Sequence, residues 1–195
     1  MSIKQLPLLP LLLLLTACVG KPIAVERYTL PDANQIAGSD RSHQHKLMIN
    51  NVQLAEYLDG EGIVLQLDDI RIHQAREHLW AEAPGQQIQR GLRHRLAVLL
   101  SDTQVTTGHR ISDSNAMMLA VEFERFQGHF DGIAVSSGHW QLLSQQGEIL
   151  ATEAFQLSSV LDGDGYPQLV RALGRNLDAL AEQIASTVKM VKAGD

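Results

Sequence analysis

Apolar and polar positions along this chain recur with two periods. Over "NAMMLAVEFERFQG" (115–128), Leu119, Val121 and Phe123 fall on one side and Ala120, Glu122 and Glu124 on the other. A repeat of two is what a strand with one buried face requires. Other runs of strand length are "KLMINNVQL" (46–54), "GIVLQLDDIRIHQ" (62–74), "GIAVSSGHWQLLS" (132–144) and "EILATEAFQLS" (148–158). A shorter "RYTL" (27–30) is stopped by Pro31 and Asp32, and the polar stretch 34–46 reads as a loop. "SQQGE" (144–148) is a hairpin loop in which Gly147 takes positive φ. Two segments carry the helical period instead. After Pro84, apolar residues recur at Ile88, Leu92, Leu96, Leu99 and Leu100. Near the C-terminus Leu169, Leu173, Leu177, Leu180, Ile184, Val188 and Val191 form one stripe over about six turns. The order β-β-β-α-β-β-β-α predicts an α+β fold: an antiparallel or mixed sheet with two main helices packed on one face.

The N-terminus follows a different pattern. It is apolar from Leu6 to Val19, broken by Pro7 and Pro10, and preceded by Lys4. A helix crossing a bilayer needs about 20 apolar residues, so this segment is too short to span and reads as a secretory signal peptide. It ends in Leu15-Thr16-Ala17-Cys18, which resembles the bacterial lipobox; the plain alternative is a signal peptide whose cysteine is incidental. The resemblance implies a diacylglycerol on the Cys18 thiol, cleavage before Cys18 and an acyl chain such as palmitate on the new amine. Residues 1–17 are then the signal peptide, 18–26 the acylated cysteine and tether, and 27–195 a single periplasmic α+β domain. One chain binds a membrane only marginally, at about 0.8 kcal/mol per methylene, whereas several chains on one residue hold permanently. Val19 stands where an inner-membrane lipoprotein would carry aspartate, which favours the outer membrane.

Composition narrows the function classes. The 195 residues are 45% hydrophobic and 19% charged, ordinary for a globular protein. The net charge is −6, and losing Lys4 with the signal peptide takes it to −7. An acidic chain has no general attraction to nucleic acid or anionic lipid, so no nucleic-acid partner is expected. Cys18 is the only cysteine, so an intrachain disulfide is excluded and the domain relies on its core.

Candidate chemistry is sparse. His43 and His45 lie two apart near Asp40, but without the third and fourth partners a zinc site needs; His73, His78 and His109 are scattered. "DGDGY" (162–166) opens like a calcium loop and lacks its later ligands; Asp164 capping a helix with Pro167 in its first turn explains it better. Cofactors are therefore expected to be none beyond the covalent lipid. Arg90, Arg93 and His94 share one helix face at i, i+3, i+4 spacing. That face is either solvated or a contact for an acidic partner, and Trp80 and Trp140 are either core or interface residues. "SSGHW" (136–140) supplies Ser136, Ser137 and His139 but not the turn of a nucleophile elbow, and no phosphate loop or H-E-x-x-H is present. The chain reads as no enzyme.

Several segments together resemble one family. They are "YTL" (28–30), "VQLAEYLDGEGIVLQ" (52–66), "LWAEAPGQQIQRGLRHRL" (79–96), "LAVEFERF" (119–126) and the strand with Trp140 before a C-terminal amphipathic helix. Within them Trp80-Ala81-Glu82 followed by Ile88, Arg90, Leu92 and Leu96 is the most specific part; Glu56 departs from the proline many relatives carry before Tyr57. With the lipobox, the chain resembles the ABC-type transport auxiliary lipoprotein family, also called the paraquat-inducible protein C family. The resemblance implies an outer-membrane lipoprotein whose domain faces the periplasm. Its implied partner is a periplasm-spanning mammalian-cell-entry (MCE) protein with an inner-membrane partner, in a system that moves lipid or maintains membrane integrity. A homo-oligomeric ring is compatible with that role, and Arg90, Arg93 and Trp80 are the candidate docking residues. The rival expectation is an assembly factor for a secretion or motility machine.

Overall fold

The computed structural model describes residues 24–32, 43–108 and 116–194. Nine strands and two helices follow in the order β1 (Glu26–Tyr28), β2 (His45–Ile49), β3 (Gln53–Leu54), β4 (Gly62–Gln66), β5 (Ile72–Trp80), α1 (Pro84–Leu99), β6 (Thr103–Thr107), β7 (Ala116–His129), β8 (Ile133–Leu143), β9 (Ile149–Val160) and α2 (Tyr166–Gly194). A 3-10 turn at Glu56–Leu58 separates β3 from β4. The class is α+β with a mixed sheet.

The long strand β7 organises the sheet. Along one edge it pairs antiparallel with β8, which in turn pairs antiparallel with β9. Its other edge is shared by three short strands in succession, all parallel to it. Lys46–Ile49 of β2 lies against Ala116–Leu119, β3 against Glu122 and Phe123, and the end of β4 against Gly128 and His129. Outside β2 lies β6, parallel; outside β4 lies β5, antiparallel, with β1 parallel beyond it.

The expected alternation on β7 holds: Leu119, Val121 and Phe123 are 0%, 2% and 1% exposed. A bulge at Glu124 then shifts the register, so Phe126 rather than Arg125 is the next buried side chain. Opposite that bulge, Gly138 approaches so closely that an added Cβ would lie 1.9 Å from the Glu122 carbonyl oxygen. Phe123 meets Phe126 and Phe155 edge-on, at centroid separations of 5.5 and 5.1 Å, an arrangement aromatic quadrupoles favour. Trp140, fully buried, belongs to the same core.

Both helices cover this apolar face. The α2 stripe from Leu169 to Val188 is buried throughout, as are Ile88, Leu92 and Leu96 of α1. In the β8–β9 turn Gly147 takes φ +84, and the Ser144 and Glu148 backbones bond across it at 2.8 Å.

Three expectations are corrected. The run 46–54 is two strands, because at Asn50 the chain turns out of the ladder and the Gln89 side-chain amide donates to the Asn50 carbonyl at 2.8 Å. The run 62–74 is a hairpin: Asp68 accepts from the Ile70 and Arg71 amides at 3.1 and 2.8 Å, closing a turn that sends β5 back to Trp80. The cap of α2 is Gly165 at φ +95, whose carbonyl accepts from Gln168 and Leu169. An aspartate would hold that φ only with strain, so Asp164 lies one residue outside, exposed.

Candidate interaction surface

The outer face of α1 carries two of the three candidate docking residues. Arg90 bridges the Glu82 carboxylate with two nitrogens, at 2.7 and 3.2 Å, which holds Glu82 below the usual carboxylate range. Arg93 places Nη2 2.5 Å from His94 Nε2, and His94 Nδ1 lies 3.7 Å from Asp32. Among the described residues Arg93 faces no carboxylate within 4.0 Å. Trp80 lies elsewhere: its side chain is 3% exposed and packs on Phe126 at 6.2 Å. The structure keeps Arg90 and Arg93 on one face of α1 and leaves Trp80 in the core, away from that face.

A third arginine on the same helix was missed by the sequence reading. Arg95 is 4% exposed; its Nε donates to Asp178 at 2.5 Å, and its terminal nitrogens reach the carbonyls of Gly91, Pro31 and Gly174. It therefore ties α1 to α2 and to the segment after β1. Its signal was position: it lies between Leu92 and Leu96 on the buried side of the stripe, where a charge must be paired.

A second cluster fixes β1. Tyr28 donates to the Glu26 carboxylate and lies 3.0 Å from His78 Nδ1, while His78 stacks on Tyr166 at 3.9 Å. Burial, and then the hydrogen bond to Glu26, push the Tyr28 hydroxyl up to about 12. The start of α2, β5 and the first strand are locked together here.

The opposite face of the sheet is polar. Tyr57 places its hydroxyl 2.8 Å from the Glu124 carbonyl and 2.7 Å from the Gln127 side chain, which continues to Gln66 at 3.0 Å. Beside it, Asn50, Asn51, Gln53, Glu122, His139 and Gln141 line a cleft of about 170 Å³. Ser136 and Ser137 point to opposite faces of β8. Ser136 accepts from the Asn176 side-chain amide at 3.1 Å, and Ser137 accepts from Arg125 Nε at 2.8 Å. His139 pairs with Glu122 at 3.4 Å. Both hydroxyls thus make fold-holding hydrogen bonds, and among the described residues neither is bonded to a histidine.

Among the described residues no group of three or more His, Cys, Asp or Glu converges to hold a metal, and no helix is long and apolar enough to cross a membrane. Leu15, Thr16, Ala17 and Cys18, and most of the 34–46 loop, lie outside the described residues.

Known proteins match most of the chain. The family model described as ABC-type transport auxiliary lipoprotein component matches residues 28–185. A relative from Escherichia coli (strain K12), named intermembrane transport lipoprotein PqiC, is 30% identical over 176 residues, covering 90% of this chain and 92% of its own. A crystal structure of an uncharacterized protein matches with TM-score 0.74 at 28% identity, covering 85% of this chain and 99% of its own. A Xanthomonas campestris protein matches with TM-score 0.66 at 12% identity, covering 86% of this chain and 99% of its own, which shows a shared fold. With a family match that runs from the first strand to late in α2, and a relative similar over nearly its whole length, the chain belongs to the ABC-type transport auxiliary lipoprotein family.

Proposed function

We propose that this protein is an outer-membrane lipoprotein that docks a periplasm-spanning MCE protein at that membrane, within an ABC-transport-linked system for moving lipid and keeping the membrane intact. The carrying observation is the extent of its similarity to a relative named intermembrane transport lipoprotein, which spans 90% of one chain and 92% of the other. The lipobox Leu15-Thr16-Ala17-Cys18 supports anchoring through lipid on Cys18, and Val19 supports sorting to the outer membrane. The domain, residues 27–195, then faces the periplasm.

The role is binding without catalysis. Two-dimensional confinement by the anchor raises the effective concentration at the membrane, so a modest domain–partner affinity suffices. Arg93, on a face whose other arginine is already paired, is the contact for an acidic surface on the MCE protein. Several copies around one spanning protein would form a ring with the same docking face repeated.

Labelled palmitate supplied to cells, followed by membrane fractionation, tests the anchoring half. Label on the wild-type chain in the outer membrane, absent from Cys18→Ser, is expected. Label that persists in Cys18→Ser would overturn it. Deletion of the protein is expected to raise outer-membrane permeability to small amphiphiles, and unchanged permeability would count against the transport half.

A further inference from the structure

One end of the sheet exposes several large apolar side chains among its acidic turns. Leu67, Ile70 and Ile72 flank the β4–β5 turn, Phe130 tops the β7–β8 turn, and Val160 ends β9; Ile70, Val160 and Phe130 are 83%, 71% and 53% exposed. Strand register brings them together, since Gln66 pairs with both Ile72 and His129, and Ile133 pairs with Val160. Beside them lies a mostly apolar cleft of about 120 Å³, walled by Leu65, Ile133, Leu161 and Leu169 together with His129 and Tyr166. A cluster of exposed large apolar side chains at one end of a domain marks a contact surface.

The direction of the N-terminal chain indicates what that contact is. Glu26, the first residue of β1, pairs with His78, and β1 runs parallel to β5. The chain before Glu26 therefore leaves toward Ile72, six residues down β5, a distance of roughly 20 Å at about 3.3 Å per residue. Cys18 precedes Glu26 by eight residues, which span at most about 26–29 Å. An anchor at Cys18 can thus reach just past the apolar tip and little further. Ile149 and Leu150, the exposed apolar pair at the opposite end, lie behind the exit.

Charge selects the kind of surface. Asp68, Asp69, Asp131, Asp162 and Asp164 surround the tip; Arg71 pairs with Asp68 and Arg175 with Asp162, while the exposed Arg171 in the second turn of α2 donates to Gln168, so acids outnumber bases there. An acid-rich rim is repelled by anionic lipid and is compatible with an electroneutral leaflet.

We propose that this tip, led by Ile70, Phe130 and Val160, is a membrane-contact surface that enters the interfacial layer of a zwitterionic leaflet while the anchor on Cys18 holds it there. The proposal rests on the acylation of Cys18 put forward above. The consequence is a fixed orientation: the turn of Phe130 faces lipid, and the far end of the sheet faces the periplasm.

The test uses the purified full lipoprotein in vesicles of phosphatidylcholine and phosphatidylethanolamine, with and without brominated phosphatidylcholine. Phe130→Trp and Ile70→Trp report on the tip, Ile149→Trp on the far end, and the wild type supplies the background of buried Trp80 and Trp140. Mass spectrometry of the N-terminal peptide reads acylation in the same samples. Loss of the added emission at 130 and 70 in brominated vesicles, with position 149 unaffected, is expected. An acylated protein with no loss at 130 or 70, or with loss at 149, overturns the proposal and leaves the anchor intact. Shielding of position 130 from aqueous iodide without bromolipid quenching assigns the tip to a protein partner or a second copy, and also overturns it. If Cys18 is unacylated, quenching at 130 keeps the surface and removes the anchor, and no quenching overturns both.

Discussion

Arg95 joins three separate pieces of chain through one guanidinium, bonded to Asp178 and to the carbonyls of Gly91, Pro31 and Gly174. Its side chain is 4% exposed while that of Asp178 is 52% exposed, so the two ends of the pair differ in what they risk. Arg95→Ala leaves carbonyls and a void inside, and is expected to cost about 3 kcal/mol, the scale for breaking a buried charge network. Asp178→Asn keeps a neutral acceptor at a half-solvated site and is expected to cost roughly 1 kcal/mol after allowance for screening by water. Urea unfolding of the two variants checks the order, and equal costs would contradict it. Arg90 sits five residues before Arg95 on the same helix and behaves differently, because the arginine itself is 42% exposed as well as its partner Glu82. Arg90→Ala is expected to leave the unfolding midpoint almost unmoved, whereas Arg93→Glu is expected to weaken partner capture without destabilising the domain. Residue identity alone separates none of these three arginines. Position relative to Leu92 and Leu96 marks Arg95 as inward-facing, and the sequence reading passed over it because charged residues are usually read as surface. Trp80 was ambiguous for the complementary reason: a tryptophan suits a core or an interface equally well, and only the return path of β5 places it inside.

Among the elements, the helices and the β7–β8–β9 meander were legible because their periodicity is unbroken over many residues. The stripe from Leu169 to Val188 and the alternation Leu119-Val121-Phe123 each report a single burial surface. The short parallel strands were not, since β2, β3 and β4 owe their conformation to pairing with β7, far away in sequence, and β6 (Thr103–Thr107) has only Thr103 and Val105 turned inward. No local pattern records such pairing. Gly138 is the element-level feature with the sharpest consequence. Gly138→Ala must push β8 from β7 at the bulge and is expected to cost about 3 kcal/mol, the upper part of the overpacking range, read as a lower thermal midpoint. At the far end of α2, Lys192 bonds both oxygens of Asp102 at 2.7 and 2.8 Å and, with Thr103, lowers the Asp102 carboxyl from its ordinary value. A depressed folded value means that this contribution is present at neutral pH and fades as pH falls below about 4. Half exposure of Asp102 limits it to about 0.5 kcal/mol. Asp102→Asn is expected to speed amide exchange in the last two turns of α2 at pH 7 and to change nothing below the folded value; unchanged exchange at pH 7 would refute the staple.

At the scale of the whole molecule, β7 has two different flanks: a regular antiparallel meander on one side and three short parallel strands on the other. The helices close one face, the polar cleft opens on the other, the chain's N-terminal exit points to one end, and Arg93 looks outward from α1. The membrane contact and the partner contact proposed above thus fall on different surfaces of the domain. The central claim is that this domain is a docking module for a periplasm-spanning MCE protein. The most direct measurement is co-purification of a tagged Cys18→Ser form, exported to the periplasm without its lipid, with identification of what accompanies it. An MCE protein is expected, recovered from wild-type cells and reduced by Arg93→Glu. Recovery of a secretion or motility subunit in its place, or of no partner by a folded domain, would contradict it.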